Sequence, residues 1–207
     1  MSGGGDEQDW YDGAFYARVV DPWLEGVRRR ICSLVDPAAE VLDVGCGTGR
    51  LLAGLSPRCG RVVGVDVSEK MVEYARGRRL GNVTVRHADA TDFVPADTFD
   101  YAVASLVLHG VPERRRERLL DCMAGLAGAL ILADYAEGEH SAAYDLRTAI
   151  PELMAGLEHF RCYRSFLSHG GTTALLRRHG FSIERQLSEP TGTYRIALAT
   201  RGGRERA

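Results

Sequence analysis

Short runs of apolar and β-branched residues recur along the first two thirds of the chain, at 41–45, 62–66, 83–89, 101–107 and 129–135. Their apolar positions fall on both faces, which is typical of strands in a buried parallel sheet. Helical patterns over 69–79 and 113–127 lie between them and follow Ser68 and Pro112, residues that favour helix starts. This alternation predicts βαβ units with right-handed crossovers and a doubly wound α/β sheet.

The pattern changes after the fifth predicted strand. Within 136–172, apolar residues recur at helical spacing, with Pro151 near the start of the helix, at Ile150, Leu153, Met154 and Leu157. A structureless loop of this length is uncommon in a compact domain. We therefore predict a helical cap inserted over the carboxyl edge of the sheet.

Both ends of the chain add further elements. Residues 1–40 are predicted to be helical, with one helix beginning at Asp21-Pro22 and carrying an apolar stripe at Leu24, Val27, Ile31 and Leu34. At the other end, a helix over 173–180 precedes two strands over 181–188 and 194–200, which are predicted to pair as an antiparallel hairpin through Pro190-Thr191-Gly192. Residues 1–207 are thus interpreted as one domain, with a core over 41–135, the cap over 136–172 and closing elements over 173–200.

The composition argues against several classes of protein. A formal net charge of −2 disfavours a protein that binds nucleic acid through phosphates. No apolar run approaches the roughly 20 residues of a membrane span, and the first residues do not resemble a secretory signal. Five cysteines without a CxxC pair disfavour a disulfide framework or a zinc site. A cytoplasmic domain that binds no metal is expected.

A glycine-rich turn follows the first predicted strand. Asp43 precedes Gly45, Gly47 and Gly49, and Asp66 ends the second strand. Glycines in such a turn let a ligand approach main-chain N–H groups at a helix start. An acid that ends the neighbouring strand can accept hydrogen bonds from both ribose hydroxyls of a nucleoside. The two features together predict a nucleoside cofactor site.

The spacing of the glycines distinguishes between cofactors. The dinucleotide motif G-x-G-x-x-G has its third glycine five residues after the first, whereas here Gly49 lies four residues after Gly45. The carboxylate of Asp43 would repel a pyrophosphate, but it can hold a cationic amino group through water. S-Adenosylmethionine pairs an adenosine with an amino acid, so it fits this turn better than NAD does.

At these residues the sequence resembles the class I S-adenosylmethionine-dependent methyltransferases, in the branch that acts on small molecules and includes quinone-biosynthesis enzymes. Four segments match the family in order, namely VLDVGCGTG, VVGVDVSEKMVEYAR, HADATDF and FDYAVASLVLHGVP. The resemblance implies a Rossmann-like seven-stranded sheet of order 3-2-1-4-5-7-6, with strand seven antiparallel.

The resemblance also implies which residues bind S-adenosylmethionine. Besides Asp43, Asp66 and the three glycines of the turn, the family motifs correspond to Val67, Ser68, Met71, Asp89, Ala90, Ser105 and Leu106. Asp89 and Ala90 would meet the adenine, and Ser105 and Leu106 the methionine moiety. Family members often cover the cofactor with a Tyr-Asp pair in an N-terminal helix, to which Tyr11-Asp12 and Tyr16 are similar.

The acceptor side is less clearly marked. His109, just after the fourth strand, is a candidate general base or a group that orients an acceptor oxygen; a histidine bonded only to backbone is the alternative. Candidate acceptor-pocket residues are Tyr135, Tyr144, His159, Arg161 and Tyr163. For those in the cap, the solvated face of an amphipathic helix is the alternative.

We therefore predict methyl transfer from S-adenosylmethionine to an oxygen, carbon or nitrogen of a small molecule, by a monomer or homodimer that binds no nucleic acid. The fourth-strand segment lacks the Asn/Asp-Pro-Pro-Tyr tetrapeptide expected of enzymes that methylate base or amide nitrogens. Two other interpretations stay open from the sequence. One is a non-catalytic module that binds the cofactor or a partner protein, and the other is a nicotinamide-dependent oxidoreductase on the same architecture.

Overall fold

A computed structural model of the chain describes residues 21–138, 142–189 and 191–201, without the side chains of residues 21 and 142–147. The strands are β1 Glu40–Val44, β2 Arg61–Asp66, β3 Val83–His87, β4 Phe99–Ser105, β5 Ala127–Tyr135, β6 Phe181–Ser188 and β7 Tyr194–Arg201. They form one sheet of order β3-β2-β1-β4-β5-β7-β6. β7 runs antiparallel to both β5 and β6, and the other pairs are parallel. The predicted fold class and strand order are confirmed.

The described helices are α1 Glu25–Leu34, α2 Arg50–Leu55, α3 Glu69–Arg76, α4 Glu113–Leu126, α5 Ala142–Met154, α6 Leu157–Ser168 and α7 Gly171–Arg178. Short 3₁₀ turns cover Asp21–Leu24 and Leu108–Gly110. The predicted stripe of α1 is buried, at Leu24, Val27, Ile31 and Leu34. Among the described residues, no helix combines the length and apolar character needed to cross a bilayer.

The sheet separates two apolar cores. Neighbouring residues of one strand point to opposite faces, so Val41 of β1 joins the core that includes Ile31 and Leu52. Leu42 joins the other core, which includes Leu120 of α4. Each residue is at most 1% exposed. Burial on both faces is the reason that the strand sequences are apolar without alternation.

Three strands end earlier than predicted, β1 by one residue, at Val44. β4 ends at Ser105 rather than at residue 107, because Leu106 adopts a left-handed backbone with φ 58°. β3 ends at His87 rather than at residue 89. α4 runs directly into β5 at Ala127, so this strand begins two residues earlier than the predicted 129–135.

The segment predicted as a cap contains helices α5 and α6, but the apolar stripe noted in the sequence is not the buried face of α5. Ile150, Leu153, Met154 and Leu157 are 48–67% exposed, whereas Thr148 and Glu152 are 3% exposed. Pro151 lies in the last turn of α5 rather than near its start, and α6 begins directly after Gly156. α5 faces polar groups at the sheet edge. Hydrogen bonds to these groups offset the free-energy cost of burying its own polar side chains.

Candidate functional site

The glycine turn after β1 is shaped by one close approach and one open position. Gly45 and Gly47 both have positive φ angles, of 71° and 51°. A Cβ at Gly45 would lie 2.5 Å from Val107 Cγ2, so this position packs against the segment after β4. A Cβ at Gly47 would meet no described atom within 4 Å. Gly47 therefore leaves room for a ligand against the main chain.

Asp66 ties the turn to the end of β2. Its Oδ2 accepts a hydrogen bond from the Gly47 N–H at 2.8 Å, and its Oδ1 accepts one from the Ser68 N–H at 2.9 Å. Ser68 in turn caps α3 by accepting from the Met71 N–H. Each carboxylate oxygen can accept more than one hydrogen bond. Asp66 can therefore hold the turn and a ribose diol at the same time.

Asp43 is a buried carboxylate beside this turn. It is 1% exposed, and its Oδ2 has no hydrogen-bond partner among the described residues. Burial, together with the nearby charge of Asp66, raises the pKa of Asp43 to about 8. A bound cation would offset both the burial of the Asp43 carboxylate and its repulsion by Asp66. The N-cap of α2 is Gly49, with no side-chain cap hydrogen bond, so Asp43 does not cap this helix.

The remaining residues predicted to bind the cofactor lie after β2, on α3 and after β3. Val67 is 61% exposed beside Asp66, and Met71 is buried on α3. Asp89 accepts hydrogen bonds from the N–H and hydroxyl of Thr91 and forms an ion pair with Arg115. Burial opposes its ionisation, but these contacts lower the pKa of Asp89 overall. Ala90 packs against the core beneath.

The end of β4 carries the chain from the cofactor turn towards His109. Ser105 is the last residue of β4, and the Leu106 N–H donates to the Ala133 carbonyl of β5 at 2.8 Å. A left-handed backbone is costly for leucine, and at Leu106 it turns the chain sharply. Val107 then packs on Gly45, and the turn Leu108–Gly110 presents His109 over the sheet edge.

His109 is buried and held by Asp134. Its Nδ1 lies 2.7 Å from Asp134 Oδ1, and the other oxygen of Asp134 accepts from the N–H groups of Leu108 and His109. Burial alone would lower the pKa of His109, but Asp134 and then Glu152 raise it to about 10. The alternative of a histidine bonded only to backbone is therefore not observed.

Glu152, on the cap helix α5, places its carboxylate beside His109. Its Oε1 accepts a hydrogen bond from the Tyr135 hydroxyl at 2.6 Å. Its Oε2 lies 2.6 Å from His159 Nε2 and 3.4 Å from His109 Nε2, as ion-pair contacts that are not aligned as hydrogen bonds. Burial alone would raise the pKa of Glu152, but these contacts lower it well below its ordinary value.

The structure brings together most of the predicted acceptor residues whose side chains it describes. The Tyr163 ring packs edge-on against Tyr135, with centroids 5.0 Å apart, and its hydroxyl donates to Thr148 at 2.8 Å. Arg161 is exposed on α6 and does not join this cluster. The predicted Tyr11 and Tyr16, and the side chain of Tyr144, lie outside the described residues.

Three of these side chains could also reach a metal ion. The ligand atoms of His109, Glu152 and His159 all lie within 4.8 Å of one another. Two ligands of one ion at about 2.1 Å are about 3 Å apart or more. The 2.6 Å contact between Glu152 and His159 is shorter than that and matches a direct pairing of the two side chains. The expectation of no metal stays a prediction.

Three important residues were missed from the sequence. Asp134 interrupts the apolar strand 129–135 with a carboxylate, which was a visible signal. Glu152 lies in the predicted cap helix but outside its apolar stripe, so the pattern did not single it out. Arg116 stands in a run of three arginines, 114–116, which is typical of a solvated helix face, yet it is 1% exposed and donates to the carbonyls of Leu108, Val111 and Cys162. Arg116 therefore connects helix α6 with the turn that contains His109.

Known proteins resemble this chain in sequence. Residues 41–127 match the family described as the methyltransferase domain. Nocamycin O-methyltransferase from Saccharothrix syringae is 35% identical over 188 residues, which cover 79% of this chain and 67% of that protein. The chain spans 31% and 28% of the lengths of two further curated relatives that it matches.

Solved structures share the fold. Magnesium protoporphyrin IX methyltransferase from Synechocystis PCC 6803, with bound SAH, has a TM-score of 0.68 at 23% identity and covers 94% of this chain and 98% of its own. Mitomycin 7-O-methyltransferase has a TM-score of 0.69 at 22% identity and covers 91% of this chain and 57% of its own. Taken with the family match and the nocamycin relative, these similarities confirm the predicted cofactor and enzyme class: the chain belongs to the class I S-adenosylmethionine-dependent methyltransferases.

Proposed function

We propose that this chain transfers the methyl group of S-adenosylmethionine to an oxygen of a small-molecule acceptor bound at His109. The observation that carries the proposal is the buried His109–Asp134 pair, which follows directly on the segment that packs against the glycine turn. An O-methyl acceptor is also in the name of the nocamycin relative. The small net charge of −2 favours a small molecule over nucleic acid as acceptor.

The residues around the turn fit the cofactor. Asp43 is a buried carboxylate that can face the amino group, Asp66 can face the ribose diol, and Gly47 leaves open space at the main chain. When bound, S-adenosylmethionine supplies a methyl group on a sulfonium, which is already activated for displacement by a nucleophile. The protein has to bring donor and acceptor within attack distance and exclude water.

His109 orients and stabilises the acceptor oxygen in this proposal. With its pKa raised to about 10, the imidazole holds its proton at neutral pH. A protonated imidazole cannot take a proton from a hydroxyl, but it can donate a hydrogen bond from Nε2 to an oxygen that carries negative charge. Asp134 fixes the ring through Nδ1 and keeps Nε2 directed at the acceptor. Of the two roles predicted from the sequence, orientation of the acceptor oxygen is thus favoured over general-base catalysis.

The location of the enzyme belongs to the same proposal. Cys32, Cys46, Cys59, Cys122 and Cys162 are all free. Free thiols of this number favour a reducing compartment. We expect the enzyme to act in the cytoplasm.

Incubation with S-adenosylmethionine labelled in its methyl group, followed by mass spectrometry of a panel of hydroxy, carboxylic and amino compounds, tests this function. We expect label on oxygen. His109→Ala should lower turnover by about 100-fold, with an unchanged cofactor Kd. His169→Ala, at an exposed histidine that follows α6, is the matched control and should keep full turnover. Loss of cofactor binding in His109→Ala with normal turnover at saturation would contradict the proposed role.

A further inference from the structure

The carboxylate of Glu152 is held in the way that a protein holds a bound anion. It comes from the cap helix α5, and it is 3% exposed. Its contacts come from three other elements: the Tyr135 hydroxyl at the end of β5, His159 of α6 and His109 after β4. Oε1 faces the phenol, and Oε2 faces both imidazoles. One phenol hydroxyl and two imidazole rings thus face the two oxygens of one carboxylate.

The position of this carboxylate is the second observation. Glu152 Oε2 lies 3.4 Å from His109 Nε2, the ring nitrogen that is left when Asp134 takes Nδ1. In the proposed function, this nitrogen is where the acceptor oxygen has to bind. An acceptor cannot reach it while Glu152 remains in place, because two oxygens cannot occupy the same position. The acid therefore fills the acceptor's own site.

We infer that the methyl acceptor is an oxygen acid, a carboxylic acid or an acidic enol that binds as its anion, and that Glu152 occupies its place until it arrives. This inference rests on the proposed function. Donors that accommodate one buried carboxylate can accommodate another, whereas a neutral alcohol or an amine would leave the donors of His109, His159 and Tyr135 poorly matched.

The chemistry balances without a base. The anionic oxygen attacks the methyl carbon, an O–C bond forms, and the S–C bond breaks with its electron pair left on sulfur. The negative charge of the acceptor and the positive charge of the sulfonium cancel in the products, a neutral ester or ether and a neutral thioether. No proton has to leave the acceptor during the step. A histidine that keeps its proton is suited to this reaction, since its task is to hold an oxyanion.

The end of α5 is built so that Glu152 can withdraw. Pro151 has no N–H to donate within the last turn, and α5 ends two residues after Glu152, at Met154. Gly156, with φ 118°, separates α5 from α6. Ile150, Leu153 and Met154 are about half exposed or more, so few apolar contacts anchor this turn on its outer side. Displacement of Glu152 therefore costs little core packing.

Binding of acetate to Glu152→Ala tests the inference directly, because the variant leaves the three donors without their carboxylate. Calorimetric titration of the full chain, saturated with S-adenosylhomocysteine, should give a Kd for acetate about tenfold or more below that of the unmodified protein. Adding His159→Ala to Glu152→Ala should abolish the gain. Glu158→Ala removes an exposed acid from the first turn of α6 and should behave like the unmodified protein.

Glu152→Gln provides a second variant if the alanine variant is unstable, since the amide keeps the shape of the side chain and loses its charge. It too should bind acetate more tightly than the unmodified protein does. Equal acetate binding by unmodified protein and folded variants would overturn the inference, as would label transfer to neutral alcohols in preference to acids. Either result leaves the proposed function standing. An absence of methyl transfer to any oxygen in the panel, alongside tight acetate binding, would instead contradict the proposed function.

Discussion

Asp66 combines two roles that usually fall to different residues, since it closes the glycine turn through the Gly47 N–H and stands where a ribose diol has to bind. Asp66→Ala should weaken S-adenosylmethionine binding by at least about tenfold, because charge-assisted hydrogen bonds to the ribose are lost. Calorimetric titration measures this change. Asp92→Ala, at a nearby exposed acid, is the control and should keep the affinity. An unchanged affinity in Asp66→Ala would refute the assignment of the ribose site.

Gly45 and Gly47 should respond differently to alanine, although both have positive φ angles. At Gly45 the new Cβ would lie 2.5 Å from Val107 Cγ2, so Gly45→Ala should lower the free energy of unfolding by about 2 kcal/mol or more. At Gly47 there is open space among the described residues, so the loss should be about 1 kcal/mol, from backbone strain alone. Urea denaturation compares the two.

A double variant separates the two causes at Gly45. Val107→Ala shortens the side chain that the new Cβ would meet, so Gly45→Ala should cost less in that background than in the unmodified protein. Strictly additive losses would show that the contact between the turn and the segment after β4 is not the source of the effect.

At the scale of elements, Arg116 connects the turn of His109 to the cap. Its guanidinium donates to two carbonyls around the turn and to Cys162 of α6, and it lies over the Phe166 ring at 5.1 Å. Arg116→Met should leave these carbonyls unsatisfied and lower the free energy of unfolding by about 3 kcal/mol. Hydrogen exchange should rise first in residues 108–111 and in α6. A uniform rise across the sheet would contradict this connection.

The elements show where sequence patterns are sufficient. β1, β2 and β5 were predictable because burial on both faces forces runs of apolar residues, and α1 because its stripe meets the core. The buried face of α5 was not predictable, because its partners are polar. Glu152 is buried by contacts with His109, Tyr135 and His159, which lie in other elements. The residue pattern within one helix does not indicate polar partners that lie in other elements.

The functional site also has one half that could be predicted from the sequence and one that could not. The cofactor half was predictable because the glycine turn and Asp66 are close in sequence and locally constrained. His109 was singled out by its place after β4, but Asp134 lies 25 residues further along the chain. Their contact depends on the pairing of β4 with β5. Only the folded sheet brings the two residues together.

At the scale of the whole molecule, the buried groups predict how stability depends on pH. The pKa of His109 is raised from 6.5 to about 10, by Asp134 and Glu152 against the effect of burial, with His159, Tyr135 and Tyr163 also facing the ring. Its protonation stabilises the fold fully below pH 6.5, and this contribution is lost as pH rises to about 10. The pKa of Asp43 is raised from 3.8 to about 8, so its contribution to the free energy of unfolding also falls as pH rises between those values.

The free energy of unfolding should therefore fall as pH rises from about 6.5 to 10. Urea denaturation across this range measures the fall, and His109→Gln should make the profile distinctly shallower. His179→Gln, at the side chain beside Asp121 near the end of α7, is the matched control and should keep the slope. Equal slopes in the unmodified protein and His109→Gln would show that this histidine is not held in its protonated form.

The central claim is that S-adenosylmethionine bound at the glycine turn methylates an acidic oxygen held at His109. The most direct measurement is transfer of a labelled methyl group to a panel of carboxylic acids, enols, alcohols and amines, with the product located by mass spectrometry. The account predicts label on the oxygen of an acid, and loss of that label in His109→Ala at unchanged cofactor affinity. Label on nitrogen or on a neutral alcohol, or full activity in His109→Ala, would contradict it.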